Sequence, residues 1–162
     1  HTGRFSQQHF ATALPVLGTV DRTTILSDPK TSAFIAGATS HDIVYSVYLK
    51  NVLLTHQEIA ERYCMTQLAL DPSRWVIAEE DHLIYPDANS AFGNPADREQ
   101  EVQLVQHACQ ELAKNPANAL DRFSVNYILW DEVAQPNWDL SRFQAALEEV
   151  AQGEGWSLWK VL

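Results

Sequence analysis

The residues best suited to chemistry are carboxylates beside apolar or aromatic runs. Asp28 follows Ile25, Leu26 and Ser27 and precedes Pro29. Open α/β sheets bind ligands just outside the carboxyl ends of their strands, and Asp28 would stand there. A small independent enzyme would use it with an imidazole nearby, from His41 or His82. The same letters also spell an ordinary helix entry. Asp at the N-cap accepts a free backbone N–H, Pro at the next position has none to lose, and the negative charge suits the positive end of the helix dipole. The cap is the favoured reading, because a single carboxylate without a partner motif is weak evidence for a site.

Two further clusters have metal-binding atoms. His41-Asp42 resembles the HD pair of metal phosphohydrolases, but it opens a predicted strand and no H-x-x-x-H or H-x-H accompanies it. Glu79-Glu80-Asp81-His82 has the right donors in the wrong arrangement, since consecutive residues point in different directions on a helix or strand. A solvated charge run is the better reading. No metal and no cofactor is expected. The chain has no G-x-S-x-G elbow, no G-x-x-x-x-G-K-[ST] loop and no G-x-G-x-x-G turn, and only 6 glycines from which to build a phosphate cradle. No residue is assigned as catalytic.

Aromatic residues gather near the C-terminus: Trp130, Trp138, Trp156 and Trp159. An exposed Trp beside an Asp can hold a sugar, with the ring against the sugar face and the carboxylate on its hydroxyls. Trp130-Asp131 and Trp138-Asp139 fit that picture. Core packing is the commoner use of Trp. The candidate ligand-binding residues are therefore Asp28, Trp130, Asp131 and Trp138. Cys64 and Cys109 form no C-x-x-C pair. Buried free thiols are the main expectation, and a Cys64–Cys109 disulfide is the alternative for a domain outside the cytoplasm.

The elements that must position these residues alternate. Residues 23–27 read as a short strand, 29–38 as a helix and 42–49 as a second strand. Thr55-His56-Gln57-Glu58 matches a capping box, so a helix runs from 56 to about 70, where Asp71-Pro72 stops it. Residues 74–85 fit strand or helix, and 86–95 form a loop. A helix from Pro95 to about 114 places Val102, Val105, Cys109 and Leu112 on one face, with a short helix near 117–122. Residues 124–130 are a strand, 140–150 have helical spacing behind a capping Asp139, and 156–161 alternate like a strand. Strands separated by helices predict an α/β layered sandwich with a small, mostly parallel sheet flanked by helices. Residues 1–21 are weakly patterned and read as a lead-in; 22–162 read as a single α/β domain.

The chain has 162 residues and a net charge of −10. That length buries about 68–70% of the unfolded surface, so no metal or disulfide is needed for folding. The acidic balance disfavours nucleic acid and anionic membrane surfaces, both of which need clustered Lys and Arg. No apolar run is long enough to span a bilayer, and no signal peptide opens the sequence.

Several segments together resemble polytopic membrane glycosyltransferases that use lipid-phosphate sugars. Their extracytoplasmic C-terminal domains have a strand ending in Asp, a Ser-containing helix, a short I-P-A-T-G-like turn and another strand. Here those positions are Ile25–Asp28, Thr31-Ser32, Ile35–Ser40 and Ile43-Val44. EIAERY at 58–63 is similar to their next helix, LDRFSVNYILWD at 120–131 to a strand in which Asn126 stands where Asp is common, and GWSLWKVL at 155–162 to their terminal strand. The resemblance implies an extracytoplasmic domain following a last transmembrane helix, joined to the membrane part of the same polypeptide, with a glycan or lipid-linked sugar as ligand. It would also account for the missing initial Met. It implies no catalytic residue here, because the family's catalytic acid lies between early transmembrane helices. It implies a hairpin before the terminal strand, against the helical spacing of 140–150. A sugar-binding module and a small enzyme using Asp28 stand as alternatives.

Overall fold

In chain order the elements are a 3-10 turn at Gln8–Thr12, α1 (Ala13–Gly18), β1 (Thr24–Leu26), α2 (Pro29–Ala38), β2 (Asp42–Ile43), α3 (His56–Met65), a 3-10 turn at Pro72–Arg74, α4 (Pro95–Ala113), α5 (Pro116–Arg122), β3 (Tyr127–Asp131), a 3-10 turn at Leu140–Phe143, β4 (Leu147–Gly153) and β5 (Trp156–Val161). The structure is a computed structural model that describes residues 8–49, 54–77, 95–143 and 146–162. From residue 78, the ambiguous 74–85 segment lies outside the described residues, as do the Glu79–His82 charge run and the loop at 86–94.

The class is α/β, as predicted. The five strands form one sheet in the order β2-β1-β3-β5-β4. The expectation of a mostly parallel sheet is corrected: β2-β1 and β1-β3 are parallel, whereas β3-β5 and β5-β4 are antiparallel, and these are the longer ladders. The reason lies in the last connection. A two-residue turn at Glu154-Gly155 joins β4 to β5, and so short a link can only reverse the chain. Gly155 has φ +79°, a conformation that favours glycine.

That hairpin also settles residues 140–150. Only Leu140–Phe143 is helical, as a 3-10 turn, and Leu147–Gly153 is a strand. The Phe143, Leu147 and Val150 spacing belongs to no helix face: Phe143 is buried, whereas Val150 is exposed at a break in the β4–β5 register. Residues 42–49 pair over Asp42–Ile43 alone, because Val44 and Tyr45 leave the ladder and enter the core beneath α3.

Alternation along the strands divides the interior in two. Ile25, Leu129, Trp156 and Leu158 face Phe10, Ala13, Leu17 and Ile35. Leu26 and Ile128 face the opposite way, among Ile59, Tyr63, Val105, Leu112 and Leu120 of α3, α4 and α5. Each fully buried aliphatic side chain stabilises by about 1.5–3 kcal/mol. Residues 8–18, read as part of a lead-in, contribute Phe10, Ala13 and Leu17 to the first of these cores.

Cys64 and Cys109 are joined by a disulfide between α3 and α4, with Cα atoms 4.9 Å apart. The free-thiol expectation is therefore corrected. Both cysteines are fully buried, so the burial argument held; it could not tell that the two buried faces met.

Candidate functional site

β1 ends at Leu26, and Ser27 Oγ donates to the Leu129 carbonyl at 2.6 Å, which locks the ends of β1 and β3 together. Asp28 comes next. Its Oδ1 accepts Lys30 N at 3.0 Å and Thr31 N at 3.2 Å, capping α2 as the Asp-Pro pair predicts. Asp131 is the last residue of β3, the neighbouring parallel strand. Its Oδ1 accepts Val133 N at 3.0 Å, Ala134 N at 2.9 Å and His9 Nε2 at 3.0 Å. Thr31 Oγ1 donates to Asp131 Oδ2 at 3.5 Å, a long hydrogen bond from the first turn of α2 to the end of β3. Asp28, Thr31, Asp131 and His9 thus converge at the carboxyl ends of adjacent parallel strands, the usual ligand position of an open α/β sheet.

The cluster is nearly closed. Asp28 and Asp131 are 1% and 3% exposed, and Thr31 is fully buried. Five open grooves on the described surface are lined by other residues, not by Asp28, Asp131 or His9. Asp28 Oδ2 is buried and has no hydrogen-bond partner among the described residues. Burial pushes the Asp28 carboxyl above the usual carboxylate range; its bonds to Thr31 and Lys30 oppose the shift, and the charge of Asp131 adds to it.

The other predicted positions do not join this cluster. His41 lies at the amino end of β1, away from Asp28: its Nδ1 accepts Thr23 N at 3.3 Å and its Nε2 donates to the Leu17 carbonyl at 2.8 Å. Both ring nitrogens are thereby spent on holding α1 against the sheet. Asp42 is exposed and paired with Arg22 at 2.8 Å, whose hydrogen bond holds its carboxyl below the usual range. His82 is outside the described residues. Among the described residues, no group of three His, Cys, Asp or Glu is placed to hold a metal ion.

Trp130 and Trp138 do not form a sugar platform with their neighbouring carboxylates. Trp138 is 4% exposed and packs in the core with Leu140 and Phe143, so its ring face is not free. Trp130 is half-buried, and its Nε1 donates to the Gln135 carbonyl at 2.9 Å. It points to the helix face opposite Asp131, as consecutive strand residues must. Asp139 caps the following 3-10 turn by accepting from Ser141.

Sequence reasoning missed His9 and Thr31. His9 sits in the weakly patterned N-terminal segment, 122 residues from its partner, and no spacing rule reaches that far. Thr31 carried one available signal: a hydroxyl in the first turn of a helix whose cap is a buried Asp. Comparison with known proteins adds no relative: no family model, no curated protein and no solved structure matches the chain.

Proposed function

We propose that the chain is a non-catalytic α/β domain of a membrane-tethered glycosyltransferase, placed on the extracytoplasmic side, where it assists recognition of an acceptor or glycan. One observation carries the non-catalytic part. The two strand-end carboxylates, which an enzyme of this architecture would present to a substrate, cap α2 and the turn after β3 and bind His9 instead.

Two observations support the location. The elements that follow the glycosyltransferase-like pattern lie next to one another in the sheet, with β1 between β2 and β3. A disulfide between α3 and α4 suits an oxidising compartment, where such bonds persist. No helix among the described residues is long and apolar enough to cross a membrane, so the membrane part would lie elsewhere in the same polypeptide.

The test reads the gene upstream of the His1 codon and assays the isolated domain. Several hydrophobic spans of about 20 residues each are expected upstream, together with binding to an acceptor glycan without turnover. A reading frame without such spans overturns the membrane assignment. Turnover abolished by D131A, with the fold retained, overturns the non-catalytic one.

A further inference from the structure

The cluster at the ends of β1 and β3 has an uneven supply of donors. Asp28 Oδ1 receives two backbone N–H groups, and Asp131 Oδ1 receives two backbone N–H groups and an imidazole N–H. On the Oδ2 side the supply is thin: the Thr31 hydroxyl, which also acts on the Asp28 carboxyl, has a single proton to give, and it stands 3.5 Å from Asp131 Oδ2. Asp28 Oδ2 receives nothing among the described residues, and it is buried. A charged oxygen left so is costly, whereas a protonated one becomes a donor. Thr31 Oγ1, whose side chain interacts with the Asp28 carboxyl and has lone pairs to accept with, is the acceptor such a proton would meet.

We propose that Asp28 carries a proton on Oδ2 in the folded protein and that Asp28, Thr31, Asp131 and His9 form one hydrogen-bonded chain, which opens when that proton leaves. Asp28 donates to Thr31 Oγ1, Thr31 donates to Asp131 Oδ2, and Asp131 Oδ1 accepts from His9 Nε2. Asp28 Oδ2, the cluster's one buried side-chain oxygen without a partner among the described residues, is then satisfied. The chain fastens the Gln8–Thr12 turn and α1 to the sheet, beside the Trp156 Nε1 to Thr12 Oγ1 bond of 2.8 Å. When Asp28 loses its proton, the single Thr31 hydroxyl faces two carboxylates and can serve only one.

Among the described residues, the charged and titratable groups around Asp28 are few. Asp131 faces it from β3 and disfavours ionisation, His9 acts from the N-terminal turn through Asp131, and Lys30 follows on α2 with its backbone N–H on Oδ1. The sign follows from burial and the Asp131 charge, which both raise the Asp28 carboxyl. The proton is present at low pH, and the chain opens as pH rises past the ordinary carboxylate range.

The experiment follows Asp28 Cγ and the backbone amides of residues 8–18 by NMR across a pH titration of the intact chain, in wild type, T31V and D28N. Asp28 Cγ is expected to titrate above an ordinary aspartate, with the same inflection in the Thr12 and Leu17 amides. T31V is expected to remove that inflection from the Thr12 and Leu17 amides while Asp28 stays raised. D28N, which keeps the cap and imitates the neutral acid, is expected to hold the N-terminal amides in one state throughout. Asp28 titrating as an ordinary exposed aspartate overturns the proposal, as does an inflection in the Thr12 and Leu17 amides at the Asp28 midpoint that survives T31V. Since no readout depends on glycan or membrane, the outcome is independent of the function proposed above.

Discussion

His9 Nε2 lies 3.0 Å from Asp131 Oδ1, although the two residues are 122 apart in sequence. This one contact ties a segment with little hydrophobic patterning to the central strand of the sheet. Asp131 is 3% exposed and also closes the turn through Val133 N and Ala134 N, so its carboxylate is shared by two structural tasks. D131A is therefore expected to cost about 1–3 kcal/mol, the range for removing a buried acceptor from the donors it serves. H9A should cost less, about 1 kcal/mol, because the ring is partly exposed. A double-mutant cycle in urea should return a coupling of about 0.5–2 kcal/mol. A coupling near zero would show that the pair does not hold the segment.

The Cys64–Cys109 disulfide spans a sequence separation of 45 residues. On the chain-entropy model a loop of that size is worth about 4 kcal/mol. The C64A/C109A double variant, or the reduced wild type, should unfold at clearly lower denaturant than the oxidised protein. Because both sulfurs are buried, reductant should act only once the protein unfolds. Two thiols titrating in the native protein would contradict the bond.

Glycine substitutions should separate by place. A Cβ at Gly153 would overlap the indole of Trp156, its partner across the β4–β5 hairpin. G153A is expected to destabilise by about 1–3 kcal/mol, as overpacking does. Gly37 sits in α2 with nothing within 4 Å of an added Cβ. G37A should stabilise by about 0.5–1 kcal/mol through helix propensity alone. Thermal melts of the two variants should move in opposite directions.

Ser124 has φ 53°. It follows α5, where Ser124 N bonds to the Asp121 carbonyl and Val125 N to the Leu120 carbonyl, both at 2.9 Å. This is the Schellman arrangement, in which the left-handed position usually holds glycine. S124G should stabilise by about 1 kcal/mol, the cost of a left-handed β-carbon. A loss of stability would mean that the Ser124 side chain contributes something its backbone does not require.

Local chemistry was legible in the sequence and distant pairing was not. Asp28-Pro29 and Thr55 announce the starts of α2 and α3, because a cap acts within three residues of itself. Even so, Glu58 turns to Arg62 at 3.0 Å rather than completing the capping box, since two groups competed for it. The 140–150 segment misled because three apolar residues fit a helical period by spacing alone; the Gly153–Gly155 turn beyond them determined the hairpin. Trp130-Asp131 and Trp138-Asp139 look alike in sequence, yet one aspartate is buried under His9 and the other caps an exposed turn. The cluster's key partners, His9 and Thr31, come from different elements, so only the fold brings them together.

The pH dependence of stability offers the last prediction. Asp28 is raised above the ordinary carboxylate value, first by burial, so the folded state keeps a proton that the unfolded chain has lost. Stability then falls as pH rises, by linkage. The contribution is fully present below the unfolded value, near about 4, and is lost as pH passes the raised folded value. D28N keeps the Oδ1 acceptor that caps α2 and has no charge to desolvate. Relative to wild type it should therefore gain stability as pH increases from the acid range, and then level off. Urea midpoints for both proteins across a series of pH values measure that difference. A constant difference would show that Asp28 ionises alike in the folded and unfolded chains, and that its buried oxygen carries no energetic cost.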